Sequence, residues 1–135
     1  MPVGLLTYAS RNHTRNEYLR GLDPAEFAYP IYLALFTTDP GAVGDMSGEV
    51  TAADYARVAI TFGAPATPGV FANDAPASFP VALTGWGTIG WVGIVDSAVT
   101  GGGLMIGQGL LAAPITVVIG DVIVLPMGFG IVTFL

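Results

Sequence analysis

The chain contains no cysteine and no lysine, a single histidine, and only four cations, Arg11, Arg15, Arg20 and Arg57, among 135 residues. Without cysteine there is no disulfide framework, no thiolate nucleophile and no cysteine-type zinc site. The redox compartment is left open by that absence. Four arginines against ten carboxylates give a net charge of −6. Phosphate backbones are held by clustered cations, so the charge balance argues against nucleic-acid binding and against attraction to an anionic membrane surface. Charged residues make up 10% of the chain, against roughly 25% in an ordinary domain. From Val58 to Leu135 the only charges are Asp74, Asp96 and Asp121. A soluble monomer ordinarily covers more of its surface with charge, so a large uncharged surface is expected to meet another protein, in a homo-oligomer or a larger assembly.

What is abundant is apolar and punctuated. Hydrophobic residues are 53% of the chain, with 19 glycines and 10 prolines, a mixture that suits short strands and tight turns better than long helices. The length is that of one compact domain. The uncharged stretch from Ser97 to Gly120 is interrupted by Gly101, Gly102, Gly103, Gly107, Gly109 and Pro114, which argues against a membrane-spanning helix. The opening Met-Pro-Val-Gly-Leu-Leu lacks the cationic and sustained apolar regions of a signal peptide.

Along the chain, residues 1–30 read as an extended arm followed by a short helix. Thr14-Arg15-Asn16-Glu17 is a capping box, with Tyr18, Leu19 and Leu22 on one face and a stop near Gly21 and Asp23-Pro24. Residues 31–135 read as a β-sandwich or jelly-roll-like domain. Ile31–Phe36 is a strand closed by Thr37-Thr38-Asp39-Pro40-Gly41, and 41–53 is a polar loop. Tyr55 to Phe62 alternates, which puts Ala56, Val58, Ile60 and Phe62 in the core and Tyr55 and Arg57 on the opposite face. An edge pairing is expected around Val70-Phe71. Further strands are expected over 78–83, 87–95, 103–111, 115–118, 122–125 and 130–134, with a hairpin connection over 96–102 and a tight turn at Ile119-Gly120-Asp121.

Catalytic chemistry finds little to work with. General acid–base and nucleophilic mechanisms need a positioned titratable pair, whereas His13 is alone and no nucleophile elbow, phosphate loop, metalloprotease helix or dinucleotide fingerprint occurs. No enzyme activity and no cofactor is expected. The densest acidic cluster, Asp39, Asp45, Glu49 and Asp54, does not follow an EF-hand spacing and reads as solvated loop carboxylates, with a Ca²⁺ or carbohydrate module as the other reading. Arg57 is expected to orient structure through a carboxylate or carbonyl partner, or to form an intersubunit ion pair. Trp86 and Trp91 read as core or interface anchors.

The ordered motifs Tyr32-Leu33-Ala34-Leu35-Phe36-Thr37-Thr38-Asp39-Pro40-Gly41, Gly48-Glu49-Val50, Asp54-Tyr55-Ala56-Arg57, Phe79-Pro80, Trp86-Gly87-Thr88 and Gly120-Asp121 resemble small tailed-bacteriophage virion structural proteins. Members of that group are labelled tail fibre, minor structural or capsid decoration proteins, and the likeness spans residues 29–135. It implies a virion component without catalytic residues. One expectation is a capsid decoration, or cement, protein, a trimer that stabilises the major capsid protein shell by binding only its assembled form. Its contacts would come from Leu5, Leu6 and Tyr8 of the arm, with Arg57, Trp86, Trp91 and Phe129 as further interface residues. The alternative is a tail-fibre or receptor-binding component of the tail, with Tyr55 or Trp86 in an exposed groove.

Overall fold

A computed structural model describes residues 3–12, 19, 21, 29–64, 70–128 and 131–133. The capping box, His13, Arg15, Arg20 and Phe129 lie outside them. The described chain is all-β. Its nine strands are β1 (Val3–Leu6), β2 (Ile31–Phe36), β3 (Val58–Ile60), β4 (Val70–Ala72), β5 (Ala77–Ser78), β6 (Gly87–Val95), β7 (Met105–Val117), β8 (Val124–Leu125) and β9 (Ile131–Thr133). Among the described residues, a 3-10 turn, Met46–Gly48, and helical residues 8–12 and 19 complete the regular structure.

The main sheet runs β1-β7-β6-β2-β3 with every pairing antiparallel. β2 and β6 form its centre, in register from Tyr32 opposite Val95 to Phe36 opposite Trp91. Both are nearly uninterrupted apolar runs because both of their faces are covered. Leu33 and Leu35 point to one side, into a core with Ile60, Phe79, Trp86, Ile89, Val92 and Leu111. Ala34 and Phe36 point to the other, against Val95 and Met105, with Tyr32, Met46 and Trp91 partly buried around them. Removing each large apolar side chain from water in this way contributes about 1.5–3 kcal/mol. Two small antiparallel pairs, β4 with β9 and β5 with β8, complete the fold.

Four expectations change. The extended N-terminal stretch is a strand of the main sheet, with Val3 opposite Leu110 and Leu6 opposite Gly107. Pro114 does not end a strand: β7 runs through it as one element of 13 residues. The ladder with β6 slips between Ile89 and Trp91, whose partners are Ile115 and Leu110, so residues 111–114 bulge where proline's missing N–H costs no ladder bond. The alternation assigned to Tyr55–Phe62 holds only from Val58 onward. Tyr55 and Arg57 are both buried while Ala56 is exposed, because residues 55–57 precede the ladder and the side expected to be open is covered there, by Phe79 and Trp86 over Tyr55 and by Glu49 over Arg57.

Most of the expected strand over 78–83 is also irregular. Only Ala77–Ser78 pairs as a ladder; Phe79 N still donates to the Ile123 carbonyl, and the register then shifts, with Ala82 N donating to the Asp121 carbonyl. None of the described helices is long and apolar enough to cross a membrane.

Candidate functional site

In the loop after β2, Asp39 and Asp45 face solvent, whereas Glu49 folds inward. Residues 48–50 return alongside the end of β2, with Val50 N donating to the Leu35 carbonyl and Thr37 N to the Gly48 carbonyl. This places Glu49 on the same side of the sheet as Phe36, its bridge partner. Arg57, just before β3, emerges on that side too. Its guanidinium donates from Nε to Glu49 Oε1 and from Nη2 to Glu49 Oε2, both at 2.7 Å, and the two side chains retain only 0% and 2% of their exposure.

This pair also grips the β6–β7 loop. Arg57 Nη1 donates to the carbonyls of Ser97 at 2.7 Å and Gly102 at 2.9 Å, while Gly101 N donates to Glu49 Oε2 at 2.7 Å. Asp96 Oδ1 accepts from Leu104 N and Ser97 Oγ from Val99 N. The loop is therefore braced from within and from below, and it presents Val99 to solvent at 67% exposure. Gly103 makes the brace possible: it has φ +77, and a Cβ there would stand 2.6 Å from both Asp96 Oδ1 and Ser97 Cβ.

Tyr55 links this network to the large core. Its hydroxyl donates to Glu49 Oε1 at 2.9 Å and accepts from Leu35 N at 3.0 Å. Burial pushes the phenol well above its usual range, and the neighbouring Glu49 carboxylate adds to the shift. The Tyr55 ring meets Trp86 edge-on, with centroids 5.4 Å apart. The indole Nε1 in turn donates to Asp54 Oδ2 at 2.9 Å. Asp54 also receives Leu83 N, Thr84 N and Thr84 Oγ1. The Thr84 hydroxyl above all, with the Trp86 indole and the Leu83 amide, holds this carboxyl well below the usual carboxylate range against an opposing contribution from burial.

The four loop carboxylates thus have separate tasks. Asp39 accepts from Gly41 N, and Asp45 caps the 3-10 turn by accepting from Ser47 N, a backbone bond that lowers its pKa. Among the described residues no group of three or more His, Asp or Glu is arranged to hold a metal ion.

The expected contact residues separate accordingly. Arg57 and Trp86, at 7% and 5% exposure, are consumed inside the chain, and a receptor groove built on Tyr55 or Trp86 is not present. Trp91, opposite Phe36 in the ladder, is half-buried against the smaller core cluster. Tyr8 is exposed beneath the Arg11 guanidinium, which lies 4.9 Å from its ring centroid, and its backbone N donates to Ala42. Leu5 and Leu6 are held in β1.

The sequence reading missed the outer half of β7 and the segment returning from it. Leu110, Ile115, Val118, Ile119, Val122 and Val124 are all exposed. Between this segment and the main sheet lies a cleft of about 260 Å³, with Leu35, Ile89 and Val92 at its floor and Ile115, Val122 and Val124 at its mouth. The uncharged run of the sequence signalled such a surface. Treating Pro114 as a strand break hid its location.

The sequence matches the family model described as Podophage GP4 fiber I protein gp80 over residues 5–133. The chain belongs to this family. It is accordingly a phage virion structural protein, and the match favours a fibre component over capsid decoration. No curated protein matches the sequence. The family spans both the braced loop and the apolar cleft, so both belong to the matched unit.

Proposed function

We propose that the chain is a structural component of the phage tail fibre and acts through its surfaces, not by catalysis. The observation that carries this reading is the family match, which covers residues 5–133 and describes a fibre protein. The architecture supports it in three respects. The main-sheet core is covered on both faces, the buried cation is neutralised by an intramolecular partner, and the β6–β7 loop is fixed by hydrogen bonds from outside itself. A rigid scaffold carrying a braced loop suits contact with another surface, because little ordering entropy remains to be lost on binding.

Fractionation of disrupted virions tests the assignment. The chain is expected to travel with tails, as detected by mass spectrometry of separated heads and tails. Recovery with tail-free heads contradicts a fibre role.

A further inference from the structure

β1 follows β7 only as far as Leu110. From Leu111 to Val117, the side of β7 turned away from β6 has no strand against it among the described residues. Between the buried Leu111 and Val117, residues 112–116 stand in solvent, including Ile115 at 41% exposure, and the turn that follows raises Val118 and Ile119 to 55% and 72%. The chain returns through Val122 and Val124, which share the mouth of the 260 Å³ cleft with Ile115. Asp121 is the only charged residue between Leu104 and Leu135. Its Oδ2 is turned back onto Val118 N at 2.9 Å.

We propose that this face, the outer half of β7 with the 118–125 return, is where two copies of the chain meet, whichever part of the virion they occupy. A chain of net charge −6 sets carboxylate against carboxylate when its charged faces approach one another. On this face the one carboxylate, Asp121, already accepts from Val118 N, so two copies come together there with less of that repulsion than at their charged faces. The lining of the cleft is aliphatic throughout, so a glycan would find no converging polar groups and a cationic partner no carboxylate.

The face is also self-complementary. The protruding Val118-Ile119 turn flanks the apolar hollow, so an isologous contact can set the turn of each copy against the cleft of the other. Side-chain packing, not sheet extension, forms the contact, because Pro114 offers no N–H and residues 111–114 are bulged.

Sedimentation velocity of the full chain from low to high micromolar concentration tests this, alongside Val118→Asp, Ile115→Asp and Val43→Asp. Val43 is 72% exposed in the loop after β2 and serves as an apolar control away from the face. The wild-type chain is expected to associate with rising concentration. Val118→Asp and Ile115→Asp are expected to weaken that association by about tenfold or more, and Val43→Asp to leave it unchanged. Val118 lies outside the strands, so Val118→Asp keeps its circular dichroism melt even if Ile115→Asp unfolds. A wild-type chain that stays monomeric throughout overturns the proposal. So does a folded Val118→Asp variant that associates like wild type, or a loss of association equal in Val43→Asp. None of these results bears on whether the chain travels with tails.

Discussion

Arg57 and Glu49 meet as a two-pronged ion pair, Nε on Oε1 and Nη2 on Oε2, each at 2.7 Å and both side chains out of solvent. Neither ion stops at the other. Arg57 reaches the Ser97 and Gly102 carbonyls and Glu49 receives the Gly101 amide, so a loop without cations is held by a cation from elsewhere in the chain.

Breaking one side of this pair strands the other. Glu49→Ala leaves the buried guanidinium without a counter-ion and is expected to cost about 3–5 kcal/mol in urea unfolding. Replacing both ions by apolar side chains, Glu49→Leu with Arg57→Met, is expected to cost less than the single change, because no uncompensated charge remains.

The same pair sets local dynamics. In wild type, the Gly101 amide is protected by Glu49 and the Leu104 amide by Asp96. Hydrogen exchange on Glu49→Ala, at a denaturant concentration low enough to keep the fold, is expected to accelerate Gly101 more than Leu104. Equal acceleration of both would mean that the loop opens as one unit.

Two glycines of β6 should respond oppositely to a methyl group. A Cβ on Gly93 would lie 2.9 Å from Phe36 Cε2 and 3.0 Å from Met105 Cε, side chains that are themselves fully buried and cannot retreat. Gly93→Ala is expected to destabilise by about 1–3 kcal/mol. Gly90, at the slip in the ladder, meets nothing within 4 Å, and Gly90→Ala is expected to be neutral or stabilising by up to about 1 kcal/mol. Thermal melts of the two variants check the contrast.

Acid should weaken the fold through Asp54. Its folded pKa lies below the ordinary value near 3.9, so in that range the unfolded chain binds a proton that the folded chain refuses. The stabilisation is present above the unfolded pKa and is lost as pH falls through the folded one. Asp54→Asn is expected to lower stability at neutral pH, since its amide confronts the Leu83, Thr84 and Trp86 donors, and to flatten the decline between about pH 5 and pH 3. Urea midpoints across that range measure both effects.

The strands at the centre of the fold were legible because their boundaries are local. β2 lies between Pro30 and the Asp39-Pro40-Gly41 turn, and β6 between Gly87 and the Asp96 turn. The hairpin loop, the Gly120 turn and the pairing at Val70-Phe71 were legible for the same reason. β7 was not, because proline's penalty depends on whether a ladder bond is required at its position, and the slip opposite Gly90 removes that requirement.

Arg57 was readable as a residue needing a carboxylate or carbonyl, and it has both. That the carboxylate is Glu49 and the carbonyls are Ser97 and Gly102 is set by tertiary folding of segments eight, 40 and 45 residues away. Its burial and that of Tyr55 ran against the alternation for an equally non-local reason, since two covering loops close over residues that a strand period assigns to one open face. The uncharged C-terminal half announced an apolar surface. Its position depended on where β1 stops pairing with β7.

Immunogold labelling of intact virions with antibody against this chain, combined with its copy number from quantitative gel densitometry, tests the fibre assignment most directly. The expected result is label confined to the tail, at a copy number far below that of the major capsid protein. Label spread over the head at a copy number tracking the capsid protein would contradict it.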